Sequence, residues 1–205
     1  MCVKTPTVHE LAAKQAITEV IHRYCRGMDR MDKDLTLSCW HPGGTDDHAP
    51  LYSGLAEGFV EWLWPVHAAM LVTRHVVSNT LIELNGEKAG AETYWSLALR
   101  VPHDNALLDI IAGGRYLDRF ECIDEIWAIR HRQSILDWER VQPVDRSLAD
   151  FTAPPLIPPN NPEAPVLVPS RNRNDPSYQL IGGLSNGNVP VGNADRGASA
   201  GPARH

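Results

Sequence analysis

The sequence predicts an α+β fold, helices first and a curved antiparallel sheet after them, and three observations carry that expectation. Apolar residues recur at helical spacing near the amino terminus. From Arg74 to Glu139, β-branched and aromatic residues dominate, punctuated by Asn85-Gly86 and Asp124-Glu125. Periodic patterning then stops near Val141, and eleven of the sixteen prolines lie beyond it. Helices followed by a run of strands is the order expected when helices pack on one face of an antiparallel sheet. Residues 1–140 therefore read as one α+β domain and residues 141–205 as a Pro/Gly-rich extension.

In the first element, Ile17, Val20, Ile21, Tyr24, Cys25 and Met28 share one helical face, with Glu19, His22, Arg23, Arg26 and Arg30 opposite. Such an amphipathic helix buries one side. Asp34 to Trp40 reads as a short second helix ended by His41-Pro42-Gly43-Gly44. Leu55 to Met70 reads as a third, aromatic-rich helix interrupted at Pro65, because a proline lacks the amide that the helix interior requires. Val76, Val77, Thr80 and Ile82, then Thr93, Tyr94 and Trp95, suit strands, and Asn85-Gly86 has the backbone freedom of a hairpin turn. Leu107–Glu121 and Ile126–Glu139 repeat the arrangement across Asp124-Glu125. Gly113-Gly114 inside a strand pattern suggests a bulge or sharp bend, as a sheet needs if it is to wrap around a cavity.

Composition removes several function classes. A chain of 205 residues with 43% hydrophobic and 21% charged residues holds one respectable core. The net charge of −6 and a pI near 5.8 oppose a nucleic-acid partner, which requires clustered Lys and Arg. Cys2, Cys25, Cys39 and Cys122 form no CxxC pair, so neither a disulfide framework nor a zinc site is expected, and a reducing cytoplasm is. No signal-peptide pattern and no apolar run of about 18 residues is present, so no membrane association is expected.

Candidate chemistry centres on Asp29 and His75. Asp29 lies one helical turn after Cys25, at the edge of the apolar stripe. His75 opens the first long strand, where alternation would place it on one face with Val77, Asn79 and Leu81. A carboxylate accepting one ring N–H would fix the imidazole tautomer and raise the basicity of the other nitrogen, which makes a general base. His41, Asp46, Asp47 and His48 are metal-ligand types, but their spacing matches no metal motif and no metal is expected. Trp62 and Trp64, two residues apart, face different sides of the third helix, and Trp64 is a candidate for an aromatic pocket wall.

Ala16-Ile17, Tyr24-Cys25-Arg26-Gly27-Met28-Asp29, Trp40-His41-Pro42, Thr45-Asp46-Asp47-His48, Arg74-His75, Gly113-Gly114-Arg115-Tyr116 and Trp127-Ala128-Ile129-Arg130-His131-Arg132 together resemble the SnoaL-like domain of the nuclear-transport-factor-like superfamily. Hexachlorocyclohexane dehydrochlorinase, scytalone dehydratase and bile-acid 7α-dehydratase belong to that branch. The resemblance spans about residues 8–140 and implies a cone-shaped α+β barrel. It places the catalytic Asp on Asp29 and the catalytic His on His75. It also matches Tyr24 to a tyrosine of the bile-acid dehydratase pattern and Arg132 to a pocket arginine. Arg115 stands where the dehydrochlorinase has a threonine, and the paired pocket tyrosines of scytalone dehydratase have no equivalent here.

The implied activity is cofactor-independent elimination of water or halide, or retro-aldol release of formaldehyde, from a hydrophobic hydroxylated aromatic or alicyclic molecule. Tyr24 or Arg132 would stabilise the departing charge, and Asn79, Arg115, Trp64 and His48 are candidates for substrate contact. Arg132 could equally be a surface strand residue paired with Glu121 or Asp118, as exposed arginines often are, and Tyr24, on the apolar helix face, could be ordinary core. The resemblance also implies a homo-oligomer, as a trimer. The same fold serves non-catalytic ligand binders, dioxygenase β subunits, isomerases and polyketide cyclases, so those alternatives stand beside the lyase. In the extension, the apolar residues between Leu156 and Ile181 suggest that residues 150–181 wrap the domain or a neighbouring subunit and help close the cavity, with the last twenty or so loose.

Overall fold

A computed structural model describes residues 4–144, 160, 161, 163 and 169–182. Helix α1 (Val8–Asp29) starts at a reciprocal cap: Thr7 Oγ1 accepts the Glu10 amide at 3.2 Å, while the Glu10 carboxylate accepts the Thr7 amide at 2.6 Å. Two otherwise orphaned helix donors are satisfied this way. Ile17, Ile21, Tyr24, Cys25 and Met28 are buried, as their spacing requires. After Asp29, Met31 takes a left-handed φ of 51° and the chain turns into α2 (Lys33–Leu37). Gly27 allows this close return, since a Cβ there would lie 2.3 Å from Thr36 Oγ1.

Four long strands form the body of the sheet: β3 (Val72–Asn85), β4 (Lys88–His103), β5 (Ala106–Ile123) and β6 (Ile126–Pro143). Their hairpins turn at Gly86, with φ of 60°, and at Asp124 and Glu125, with φ of 51° and 64°. Two positive φ values in a two-residue connection match the right-handed twist of the flanking strands. Two shorter strands, β1 (Trp40–His48) and β2 (Tyr52–Leu55), complete a six-stranded sheet in the order β2-β1-β6-β5-β4-β3. All neighbours are antiparallel except β1 and β6. The sheet curves without closing, leaving β2 and β3 as edges, so the architecture is an open cone rather than a closed barrel. Helix α1 fills it: Ile17, Ile21, Tyr24 and Met28 pack with Trp40, Ile82, Trp95, Tyr116, Phe120 and Ile129 in one core.

Two features differ from the sequence expectation. The second helix ends at Leu37, and His41-Pro42-Gly43-Gly44 lies within β1 as an excursion between the Trp40–Ile129 and Thr45–His131 pairs. Helix α3 (Ala56–Ala68) runs through Pro65 instead of being interrupted there. The Gly113-Gly114 reading corresponds to a register shift in the β5–β6 pairing, where Gly113 faces Trp138 and Gly114 faces Leu136. The extra residue is Asp137 on β6. The glycine is needed because a Cβ on Gly114 would sit 2.0 Å from the Ile135 carbonyl. Strand β6 continues to Pro143, three residues past the boundary set from composition.

Helix α4 (Pro176–Gly182) belongs to the extension and docks on the same chain. The Tyr178 hydroxyl donates to Asp32 at 2.8 Å, Arg173 donates to Asp32 at 2.8 Å, and the Arg26 guanidinium lies 4.5 Å over the Tyr178 ring. The expectation for residues 150–181 therefore concerns two parts: 169–181 pack on the domain, while most of 150–168 lies outside the described residues. No helix among the described residues is long and apolar enough to cross a membrane.

Candidate active site

The phase of α1 brings Asp29 to the end of the helix on the side that meets β3. There its carboxylate accepts the His75 backbone amide at 2.9 Å (Oδ2) and 3.1 Å (Oδ1), and Oδ1 accepts the His75 ring Nδ1–H at 2.7 Å. An ionised carboxylate only accepts, so Nδ1 is the donor of the shared bond, and in the neutral imidazole Nε2 then carries the lone pair. The two side chains are mostly sheltered, His75 at 6% and Asp29 at 14% exposure. The His75 ring stands edge-on to Tyr24, with centroids 6.3 Å apart.

Deeper in the cone, Arg132 binds Asp118 through Nε at 2.8 Å and Nη2 at 2.7 Å, and both side chains have 0% exposure. The guanidinium lies 4.2 Å over the Tyr24 ring and 4.0 Å over the Tyr116 ring, so aromatic faces solvate the charge that water cannot reach. Asp118 holds the arginine charged, opposing the cost of burial. Burial pushes the Tyr24 phenol well up, and Arg132 opposes that shift. The Arg132 Nη1 group has no partner among the described residues. Arg132 is therefore not the surface strand residue that one reading of the sequence allowed: its partner is Asp118, but in the core.

A bulge decides this orientation. Phe120 pairs with Ile129 and Arg119 with His131, which leaves Arg130 as an extra residue on β6. The extra residue reverses the alternation, so Arg132 faces inward opposite Asp118. Arg130 itself turns out, to Glu121 at 3.2 Å and to the Pro42 carbonyl at 3.0 Å.

The same device removes Asn79 from the site. Val77 pairs with Trp95 and Thr80 with Thr93, so Ser78 and Asn79 together face Tyr94 alone. Inward positions pass from Thr73, His75 and Val77 to Ile82 and Leu84, and both Asn79 and Leu81 are exposed. The expectation that Asn79 shares the face of His75 is therefore corrected: simple alternation does not survive a bulge. Arg115 is also outside. It faces away from its neighbours Gly114 and Tyr116 and binds Asp137 at 3.1 Å through both Nε and Nη2.

His48 does reach the interior side of β1, where its ring stacks on Phe59 at 4.5 Å and its Nδ1 bonds the buried Asp46 carboxylate. Trp64 packs against the core, whereas Trp62 is exposed and stacks on Tyr52 at 5.8 Å. His41 bonds the Glu121 carbonyl at 2.9 Å, and Asp47 accepts the Ala49 amide at 3.1 Å. Asp46 and His48 thus bond each other, while His41 and Asp47 bond backbone groups elsewhere. Among the described residues no group of three or more His, Cys, Asp or Glu is placed to hold a metal.

Three residues near His75 carried no strong sequence signal. His67, on the last turn of α3, is buried, and burial pushes its imidazole down to about 4. Thr73 is buried on the His75 face of β3. Arg171, from the extension, donates through Nη1 to the carbonyls of His67 (2.7 Å) and Met70. A cleft of about 450 Å³ lined by Met31–Asp34 and Asn172–Asn174 follows the seam of the extension, and another of about 350 Å³ lies between α1 and β3 near Lys4 and Glu83. Neither is lined by Asp29 or His75.

The family model described as the SnoaL-like domain matches residues 9–133. The chain belongs to the SnoaL-like domain family. Solved structures share this family's fold with the chain. Hexachlorocyclohexane dehydrochlorinase type 3 from Novosphingobium barchaimii LL02 is 16% identical with a TM-score of 0.59, over 71% of this chain and 97% of that one. A candidate scytalone dehydratase from Novosphingobium aromaticivorans DSM 12444 is 16% identical with a TM-score of 0.57, over 67% and 96%. A protein of unknown function from Mycobacterium tuberculosis is 18% identical with a TM-score of 0.52, over 70% and 82%. No curated protein matches the chain. At these identities the likeness is one of fold, and a SnoaL-like fold hosts more than one function.

Proposed function

We propose that this SnoaL-like protein is a lyase in which Asp29 and His75 form the general base, acting on a hydrophobic hydroxylated aromatic or alicyclic small molecule without a cofactor. The 2.7 Å bond from His75 Nδ1–H to Asp29 carries this reading, because it orients the ring and leaves Nε2 as the proton acceptor. The carboxylate is itself fixed by the His75 amide, so the pair is held before substrate arrives.

In an elimination, Nε2 takes a proton from carbon, the C–H electrons form the new double bond, and hydroxide or halide departs with its own pair. In a retro-aldol cleavage, Nε2 takes the proton of a hydroxyl, the carbonyl forms as the C–C bond breaks, and the released carbanion is protonated. Both need the imidazolium stabilised, which Asp29 supplies. Tyr24, between the His75 ring and the Arg132 guanidinium, is assigned with Arg132 to stabilising charge on the departing oxygen or halide. Trp64 and His48 are assigned to the wall around the substrate. The deciding experiment is a screen of hydroxylated and halogenated aromatic and alicyclic compounds for loss of water, halide or formaldehyde, run on the native protein and on His75→Ala. A product formed equally by both proteins removes His75 as the base.

A further inference from the structure

Four arginines in the described residues form a telling series. Arg100, Arg115 and Arg132 each present the Nε–Nη2 edge to a carboxylate, on Asp109, Asp137 and Asp118 respectively. That edge carries two parallel N–H groups matched to the two carboxylate oxygens. Arg171 uses the opposite corner: Nη1 donates to the His67 and Met70 carbonyls at the end of α3, which fixes the guanidinium plane. Its Nε and Nη2 are buried and have no partner among the described residues. Burial pulls this guanidinium below its ordinary range, and the Asp29 carboxylate acts against that shift.

The stretch around Arg171 is short of partners in other ways. His67 Nδ1 and Thr73 Oγ1 are likewise buried without a hydrogen bond among the described residues. Both lie on the segment 67–75 that leads from α3 into His75, and His67 is close enough to His75 for their charges to interact. Buried polar groups are nearly always bonded, and each one left open costs on the order of 1–3 kcal/mol. Several together beside a candidate base indicate a place where a ligand's polar group belongs.

We propose that the Nε–Nη2 edge of Arg171 anchors a carboxylate group of the substrate next to His75. The substrate class is thereby narrowed to a carboxylate-bearing hydrophobic compound, and the inference rests on the reading of Asp29–His75 as the reacting centre. Arg171 is a binding residue in this scheme, and the extension contributes to specificity through it. A neutral analogue of the same shape leaves the edge unpaired and binds more weakly.

The test is calorimetric titration of the full-length protein with benzoate and with benzamide at neutral pH. The native protein is expected to prefer benzoate by about tenfold or more, the order of a charge-assisted pair. Arg171→Gln should abolish the preference, and Arg171→Lys, which keeps the charge without the two parallel donors, should reduce it. Arg173→Ala loosens the same segment at Asp32 but leaves the Arg171 edge intact, so it should retain the preference. So should His75→Ala, which separates failure of this subsite from failure of the proposed base. Equal binding of the two probes by native protein, no binding of either, a preference that persists in Arg171→Gln, or one lost in Arg173→Ala would each overturn the proposal.

Discussion

Two pairs, each a carboxylate with a nitrogen donor, occupy the same cone, and their surroundings differ more than their chemistry. Asp29 and His75 meet at the rim, where α1 ends and β3 begins, and His75 keeps one ring nitrogen uncommitted among the described residues. Asp118 and Arg132 meet in the core, doubly bonded and enclosed by Tyr24 and Tyr116. A group that must move a proton needs access and an open valence, whereas a group that only holds charge can be sealed. The first pair suits acid–base work and the second suits fixing the potential inside the cone. Tyr24 links them, edge-on to one and under the other.

Removing each pair should therefore fail in a different way. His75→Ala and Asp29→Asn are expected to lower kcat/KM by about 10²–10⁴-fold, with the melting transition little changed. Activity is measured with whichever substrate the screen yields, and circular dichroism checks the fold. Undiminished turnover in both variants would remove the distinction between the pairs.

Arg132→Met should lower stability as well as turnover, since it strands a buried carboxylate at Asp118, and breaking a buried pair costs about 3–5 kcal/mol. Adding Asp118→Leu to that variant should recover much of the loss, because both charges are then gone. A double variant no more stable than the single would show that the pair is not the issue.

Protonation offers a finer probe of the rim. Burial depresses the His67 imidazole to about 4, below its unfolded value near 6.5, so the folded state resists a proton that the unfolded chain accepts. Stability from this group is complete above about pH 6.5 and is lost as pH falls toward 4, by up to about 3 kcal/mol. Replacing His67 with Gln should flatten that part of the Tm profile. An identical slope in the variant would place the titration elsewhere.

The smallest effects are expected at the two arms excluded by the sheet. Asn79→Ala and Arg115→Gln should leave kcat/KM within about twofold, as exposed positions away from reacting groups generally do. A tenfold loss in either would mean that the bulge does not turn these side chains out in solution.

Part of this is legible in the sequence itself. The apolar stripe Ile17, Ile21, Tyr24, Cys25 and Met28 sets the rotation of α1, and Asp29 follows from that rotation by one helical step. Likewise, Asn85-Gly86 and Asp124-Glu125 mark hairpins because local turn chemistry decides them. The excursion at His41-Pro42-Gly43-Gly44 reads as a helix end because local composition looks the same in a turn and in a widely bulged strand. Pro65 looked like a break because its missing amide is a local fact, while the packing that carries α3 through it is not.

Sequence by itself determined which side chains could share the rim: the phase of α1 and the position of His75 near the start of β3 follow from periods of 3.6 and 2. Only the tertiary structure decided which of the remaining candidates joined them. Single unpaired residues, Arg130 on β6 and one of Ser78-Asn79 on β3, reverse the alternation, turning Arg132 in and Asn79 out. A bulge exists only between two paired strands, so neither strand alone encodes it. Arg171 is the extreme case, placed 96 residues after His75 in a proline-rich extension. It reaches the rim because the folded extension packs back on the domain, held by several contacts that include Tyr178 and Arg173 to Asp32 and Arg26 to Ser177.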